Sequence, residues 1–201
     1  MTSWTLKKLS GHCGACIEGI SLARASRAQL EKVRSYLFKH GIIVFLEQYF
    51  SSEDHIKLAE FFGAIEVNRY FTPAASHPVI AEVRTTPKQT QVIGGTWHPD
   101  HSYDLAPAIC SILSAQQLPP YGGDTHFASM SAAYYAMSSG LQDILRNLRA
   151  RHSDGSFVKS NVGINPKQDA FRGPVLHPVI IKHPNTGAPC VYVNGDFYSE
   201  F

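Results

Sequence analysis

The chain lacks long apolar runs and dense clusters of basic residues. Its apolar runs, such as residues 42–46, are far too short to cross a bilayer, and residues 1–19 lack the apolar core of a signal peptide. The 18 lysines and arginines nearly balance the 16 acidic residues, and the aromatic residues are not interleaved with basic ones. We therefore expect no membrane and no nucleic-acid partner, and the default compartment is the cytoplasm.

Cysteine is also scarce, with only Cys13, Cys16, Cys110 and Cys190 in the chain. So few and unevenly spaced cysteines are typical of a reduced protein without disulfides. Cys13 and Cys16 form a C-x-x-C pair, but a zinc or redox site would need a second pair or a strand-to-helix context, and the sequence indicates neither. We interpret the two as small apolar residues in a first strand.

The sequence has no phosphate-binding glycine fingerprint and no regular alternation of strands with helices, which argues against a nucleotide-binding doubly wound fold. Ser26 and Gln29 form a capping-box pattern that begins a helix, and Gly41 ends it. The other predicted elements are strands at 42–46, 79–83, 108–115, 175–182 and 190–194, helices at 53–62, 131–137 and 141–150, a turn at 185–187 and a loop at 153–173 that covers a site. This mixture predicts one α+β domain over residues 1–201, built around an antiparallel sheet or barrel.

The strongest chemical signal follows the glycine pair Gly94 and Gly95. His98 and Asp100 lie two residues apart there, so in an extended segment both side chains project from one face and can bind one metal ion. A histidine and a carboxylate supply two thirds of a 2-His-1-carboxylate site, which leaves positions of an Fe(II) ion open for a cosubstrate and O₂. The third ligand must come from elsewhere in the chain.

Spacing alone is weak evidence for this site. With ten histidines and sixteen acidic residues, about one such pair is expected by chance. A second pair does occur, His152 and Asp154, but it follows a predicted helix end and runs into Gly155, where turn geometry would aim the two side chains apart. We interpret His152 as a capping or packing residue.

Several ordered motifs extend the His98 and Asp100 pattern over essentially the whole chain. They are GGTWHPDHSY at 94–103, Pro107, LPPYGGDT at 118–125, SAAY at 131–134, LHPV at 176–179, HPNTG at 183–187 and VYVN at 191–194. Together they resemble the 2-oxoglutarate-dependent taurine and 2,4-dichlorophenoxyacetate dioxygenase family. The resemblance implies a double-stranded β-helix, the jelly-roll or cupin-like core, with peripheral helices.

The resemblance also implies a chemistry. It makes His98 and Asp100 ligands of Fe(II), and it makes Thr125 a hydrogen-bonding partner of the cosubstrate 2-oxoglutarate. The implied reaction consumes O₂, decarboxylates 2-oxoglutarate to succinate and CO₂, and hydroxylates a small molecule, with the protein supplying geometry and a dry pocket. Related halogenases lack the carboxylate, so Asp100 favours hydroxylation.

The family's third ligand, a late histidine, and its 2-oxoglutarate-binding arginine belong to sequence beyond the VYVN strand. We therefore expect the front portion of a dioxygenase without its C-terminal strands, with open sheet edges, exposed apolar surface and a tendency to form a homo-oligomer. His177 and His183 each precede a proline and suit roles at strand ends, and His126 is a weak candidate beside Thr125. No third ligand is assigned.

Substrate positions differ from those of the taurine enzymes. Asn68 and Gly94 stand where those enzymes carry a histidine and an asparagine, which argues against taurine. Tyr103 and Phe157 occupy other pocket positions, and Arg69 with Tyr70 is a candidate cation and aromatic wall for an anionic substrate, unless Arg69 is a solvated loop residue.

Two alternatives stay open. One is a catalytically incomplete fragment or pseudoenzyme with a binding or structural role. The other is a cupin-like module that binds divalent metal without oxygenase chemistry.

Overall fold

In the computed structural model, which describes residues 4–86, 89, 94–154 and 174–195, the largest described sheet lies near the amino terminus. Strand β1 (Thr5–Lys8) pairs antiparallel with β2 (Ala15–Glu18), and β2 pairs parallel with β3 (Ile43–Phe45). The connection from β2 to β3 contains a short 3-10 helix, Leu22–Arg24, and the long helix α1, Arg27–His40. A parallel pair needs such a crossover.

Local sequence signals fix both early helices. The Ser26 hydroxyl accepts from the Gln29 N–H and the Gln29 side chain accepts from the Ser26 N–H, so the predicted capping box is confirmed. Gly41 ends α1 with a φ of 73°, a left-handed value that glycine adopts readily. Helix α2 (Ser52–Phe62) begins with a second capping box, formed by Ser51 and Asp54.

The apolar core of this half packs the helices against β2. Its buried members are Ile17, Ile20, Leu22, Val33 and Leu58. The Leu22 N–H donates to the Gln48 side chain, which in turn donates to the Ile20 carbonyl at 2.9 Å. The polar backbone beside the core is thereby satisfied.

The remaining described strands form three two-stranded ladders. They are β4 (Thr72–Pro73) with β5 (Ala81–Glu82), β6 (Arg149–His152) with β7 (Val175–Pro178), and β8 (Ile180–Lys182) with β9 (Pro189–Val191). Helices α3 (Met130–Ala136) and α4 (Ser139–Arg146) precede β6. The β8–β9 hairpin closes through the predicted turn, where Gly187 donates to the His183 carbonyl at 2.8 Å.

Three sequence predictions within residues 108–182 are wrong. Residues 108–115 form no strand in the described chain. The helix predicted over 141–150 ends at Arg146, because residues 149–152 pair with β7 instead. The strand predicted over 175–182 divides at Val179, whose N–H donates to the Leu148 carbonyl while its own carbonyl accepts from Tyr192.

Other bounds shift more modestly. The strand predicted at 79–83 shortens to Ala81–Glu82, and the one predicted at 190–194 becomes Pro189–Val191. Of the loop predicted at 153–173, only Ser153 and Asp154 lie within the described residues.

All four cysteines are free thiols. Cys16 is buried in β2, and Cys13 lies in the turn before it. The interpretation of the pair as apolar strand residues is therefore right for Cys16 alone, in the second strand rather than the first. Among the described helices, none is both long and apolar enough to cross a membrane.

Candidate metal site

The structure brings His98 and Asp100 together. His98 Nε2 lies 3.5 Å from Asp100 Oδ1. The extended backbone expected for this segment stops at Asp100, because residues 100–104 form turns and His101 has a left-handed φ of 57°. The two side chains therefore converge because the backbone turns at Asp100. Residues i and i+2 meet here through a turn and not through extended backbone.

The His98 ring is held in one tautomer. Its Nδ1 lies 2.7 Å from the Thr96 carbonyl oxygen, which can only accept, so Nδ1 carries the proton. When the imidazole is neutral, its lone pair is therefore on Nε2, the nitrogen that faces Asp100; when Nε2 also carries a proton, it can donate to that carboxylate. A hydrogen bond from the other ring nitrogen to a carbonyl is how metal-binding histidines are commonly oriented.

Gly94 lies directly against this ring. Its φ of 70° is left-handed, and a Cβ added there would lie 3.4 Å from His98 Cε1. A larger residue at position 94 would strain the backbone and place its Cβ in van der Waals contact with the imidazole. The substrate position assigned to Gly94 thus lies beside the metal candidate.

Asp100 is held at both oxygens. Ser111 Oγ donates to Oδ2 at 2.5 Å, while Oδ1 faces His98. The pKa of the carboxyl lies below its ordinary value, first because of the His98 ring and then because of the hydrogen bond from Ser111. The group is therefore ionised at neutral pH. One imidazole nitrogen and one carboxylate oxygen form a donor set that suits Fe(II).

No third ligand appears in the part of the chain that the structure describes. No group of three or more histidine, cysteine, aspartate or glutamate side chains is placed there to hold a metal ion. His177 lies in β7 and donates from Nε2 to the Asp104 carbonyl, and His183 accepts from the N–H groups of the β8–β9 turn. Both therefore have the strand-end roles expected of them. His126 is exposed.

A buried ion pair lies behind the turn, and sequence reasoning missed it. Arg69 Nη2 contacts Glu66 at 3.2 Å and Asp104 at 3.3 Å, and His101 Nδ1 lies 3.0 Å from the other Asp104 oxygen. The i, i+3 spacing of His101 and Asp104 was the available signal. Arg69 is therefore not a solvated loop residue, since its side chain is mostly buried against two carboxylates.

Two tyrosines pack beside this ion pair. Tyr70 donates a short hydrogen bond from its hydroxyl to Asp154, and its ring meets Tyr103 edge-on with centroids 5.8 Å apart. Burial raises the pKa of both phenols above the ordinary value. Tyr70 is thus a buried structural partner of Asp154 rather than an open aromatic wall.

His152 is fully buried in β6, so the packing interpretation is confirmed and the helix-end location is wrong. Its ring stacks on Tyr192 with centroids 5.4 Å apart and meets His177 edge-on at 5.2 Å. Burial first, and the neighbouring His177 second, lower the pKa of His152 to about 4. His152 and Asp154 are both fully buried, which their chance spacing did not indicate.

Of the three remaining positions assigned from the sequence, the structure describes Thr125 and Asn68. Thr125 lies exposed in the segment before α3. Asn68 accepts from the N–H groups of Tyr70 and Phe71 at 2.8 and 3.0 Å, a local turn that occupies its side-chain oxygen. Phe157 lies outside the described residues.

Comparison with known proteins identifies the class. Residues 5–201 match the model of the taurine catabolism dioxygenase TauD, TfdA family, and the chain belongs to this family. A crystal structure of a taurine dioxygenase from Burkholderia xenovorans superposes with a TM-score of 0.79 at 27% identity, covering 97% of this chain and 64% of that one. The fold is accordingly that of the TauD-like dioxygenases, a jelly roll.

Two curated relatives match most of this chain. The alpha-ketoglutarate-dependent sulfonate dioxygenase of Saccharomyces cerevisiae is 29% identical, over 96% of this chain and 49% of its own length. The (S)-phenoxypropionate/alpha-ketoglutarate-dioxygenase of Delftia acidovorans is 30% identical, over 90% of this chain and 67% of its own length. The chain thus spans about half the length of the yeast relative and two thirds of the bacterial one.

Proposed function

We propose that the protein is an Fe(II)/2-oxoglutarate-dependent dioxygenase that hydroxylates a small anionic organic molecule, and that residues 1–201 belong to a single domain of it. The observation that carries the proposal is the convergence of His98 Nε2 and the ionised Asp100 carboxylate, 3.5 Å apart. Relatives named as alpha-ketoglutarate-dependent dioxygenases support it, since alpha-ketoglutarate is another name for 2-oxoglutarate.

His98 and Asp100 are the residues that would hold the iron. The Thr96 carbonyl fixes His98 with Nε2 toward the site, and Ser111 fixes the Asp100 carboxylate from the other side. Thr125 is the proposed hydrogen-bonding partner of 2-oxoglutarate. Bound Fe(II) and 2-oxoglutarate together would supply oxidation by O₂, coupled to release of succinate and CO₂.

The chain's own residues would shape the space beside the metal and keep water out of the site. Gly94 leaves room beside the His98 ring that a side chain would fill. Tyr103, buried against Tyr70, would contribute apolar surface that keeps water from the site. Asn68 and Phe157 complete the proposed substrate positions.

An anionic substrate is supported by the names of the relatives. The chain resembles enzymes named for a sulfonate, for 2,4-dichlorophenoxyacetate and for (S)-phenoxypropionate, all of which are anions at neutral pH. Arg69 is not proposed as the substrate cation, because Glu66 and Asp104 already pair with it.

A second candidate function is a catalytically incomplete protein with a binding role. It is favoured by one observation, that the described residues hold no group of three metal-ligating side chains. Such a protein would not form the chelate of iron and 2-oxoglutarate.

Anaerobic titration of the chain with Fe(II) and 2-oxoglutarate tests the proposal. We expect the weak visible charge-transfer band of an iron 2-oxoglutarate chelate, and we expect it to disappear in Asp100→Ala. Asp143→Ala is the matched control, because this exposed carboxylate pairs only with Arg146 in α4 among the contacts described. Absence of the band in the wild-type chain would favour the incomplete protein, and metal binding that is indifferent to 2-oxoglutarate would favour a cupin-like module.

A further inference from the structure

We propose that Asp104 is the positioning residue of the candidate metal site and fixes the turn that carries His98 and Asp100. The inference rests on the proposed function, because it assigns Asp104 a role toward the metal that those two residues would hold. The Asp104 carboxylate pairs with Arg69 and His101 rather than with His98 or Asp100 among the contacts described. Asp104 is only 7% exposed, whereas the Asp100 side chain is half-exposed.

Two of its contacts lock the residue next to Asp100. The Asp104 N–H donates to the His101 carbonyl at 3.0 Å, and His101 Nδ1 donates to Asp104 Oδ2 at 3.0 Å. His101 has a left-handed φ of 57°, which is uncommon outside glycine and persists only where the surroundings hold it. The direction in which the chain leaves Asp100 is therefore set through Asp104.

Further contacts tie the same turn to distant parts of the chain. Arg69 Nη2 donates to Asp104 Oδ1 at 3.3 Å, and His177 in β7 donates to the Asp104 backbone carbonyl at 3.0 Å. Beside them, Asn194 donates to the fully buried Ser102 hydroxyl at 3.2 Å. The turn is thus fastened to three segments that are far apart in sequence.

Electrostatics makes Asp104 the centre of this arrangement. A buried carboxylate is costly unless both oxygens are paired, and here Arg69 takes one oxygen and His101 the other. Charge-assisted hydrogen bonds are stronger and shorter than neutral ones, so the side chain has one preferred orientation. Metal ligands need such support, since a site loses affinity when its supporting residues leave it loose.

Amide hydrogen exchange of the metal-free chain tests the inference without any metal. We expect Asp104→Asn to lower the protection of the residue-104 amide, measured relative to its intrinsic exchange rate, about tenfold, because a charged hydrogen bond to the turn is lost. Exchange in α1 should stay unchanged. Glu66→Gln is the matched control: it removes the same charge from the other carboxylate on Arg69, and it should leave the turn as protected as in the wild type.

A pair of variants at His101 keeps the test decisive if Asp104→Asn does not fold. His101→Ala removes the imidazole and disfavours the left-handed backbone, so we expect fast local exchange there too. His101→Asn tolerates that backbone and retains a short polar donor, so it should restore protection. Unchanged exchange in both Asp104→Asn and His101→Ala, or an equal increase throughout the chain, would overturn the inference.

Titration with Co(II) separates this inference from the proposed function. We expect Asp104→Asn to weaken Co(II) binding about tenfold, as loss of a supporting partner does in metal sites. Glu66→Gln should bind as the wild type does. If the wild-type chain takes up no Co(II), the proposed metal site fails, while the exchange data still decide whether Asp104 holds the turn. Equal affinity of wild type and Asp104→Asn would overturn the positioning role.

Discussion

At the scale of single residues, Asp100 shows how the candidate site is held. One carboxylate oxygen faces His98 and the other accepts from Ser111. The carboxylate therefore cannot rotate without losing a hydrogen bond. Ser111 lies in the segment predicted to be a strand, where nothing in the sequence indicates that its hydroxyl would reach the candidate metal ligand Asp100.

We predict that Ser111→Ala weakens binding of Co(II) or Mn(II) by about tenfold, because the Asp100 carboxylate loses its fixed orientation. Ser111→Thr should retain most of the affinity, since it keeps the hydroxyl. Isothermal titration calorimetry measures both. Ser114→Ala is the control, because the Ser114 hydroxyl contacts Gln116 instead. A Ser111→Ala affinity equal to that of the wild type would show that this hydrogen bond does not orient the ligand.

His152 gives a second residue-scale prediction, on stability against pH. Its pKa is lowered to about 4 in the folded chain, from the ordinary histidine value of 6.5. A lowered histidine pKa means that the unfolded chain binds the proton more readily. The neutral ring's contribution is therefore fully present above pH 6.5 and is lost as the pH falls toward 4, by at most about 3 kcal/mol.

Urea unfolding at pH 7.5 and pH 5 measures this loss. We expect the free energy of unfolding to fall less between the two pH values in His152→Phe than in the wild type, because phenylalanine can stack on Tyr192 without titrating. The exposed His12→Phe is the control and should keep the wild-type dependence. Identical pH dependence in all three proteins would mean that His152 does not contribute.

At the scale of elements, α1 depends on its capping box. Ser26→Ala removes the acceptor for the Gln29 N–H, and we expect a loss of about 1 kcal/mol in the free energy of unfolding. Ser35→Ala is matched in chemistry and lies in the same helix, where its hydroxyl only bonds back to the Lys32 carbonyl. That variant should change stability by roughly half a kcal/mol or less. Thermal or urea unfolding distinguishes the two, and equal effects would refute the role of the cap.

Elements fixed by local signals could be predicted from the sequence, and those fixed by pairing could not. Helices α1 and α2 follow from capping residues and the glycines that end them, and the β8–β9 turn follows from Gly187. By contrast, residues 149–152 leave helical periodicity because β7 pairs with them. Val179 divides the strand predicted over 175–182 because Leu148 and Tyr192 bond to it from two sides.

The candidate site likewise has a part that could be predicted from the sequence and a part that could not. The meeting of His98 and Asp100 could be predicted from their spacing, although the turn that brings them together was expected to be a strand. Asp104 and Ser111 could not be found, because their roles depend on contacts with side chains that the fold brings near. Arg69 was misread for the same reason, since both of its carboxylate partners matter and one is 35 residues away.

At the scale of the whole molecule, the described chain exposes large apolar side chains in the segment that follows Asp104. Leu105, Leu113, Leu118 and Tyr121 are each more than 70% exposed. Large exposed apolar surface marks an interaction face or promotes aggregation. The sequence-based expectation of exposed apolar surface agrees with this segment.

We predict that the isolated chain self-associates through residues 105–121. Sedimentation velocity over rising concentrations should show a weight-average mass above that of the 22.2 kDa monomer. Leu113→Gln combined with Leu118→Gln should weaken association about tenfold or more, because two exposed leucines would no longer be buried at the contact. A matched double variant, Leu141→Gln with Ile144→Gln, removes two exposed apolar residues from α4 and should associate as the wild type does. A single monomeric boundary for the wild-type chain, with cooperative unfolding, would instead mean that this apolar segment is tolerated in solution without a partner.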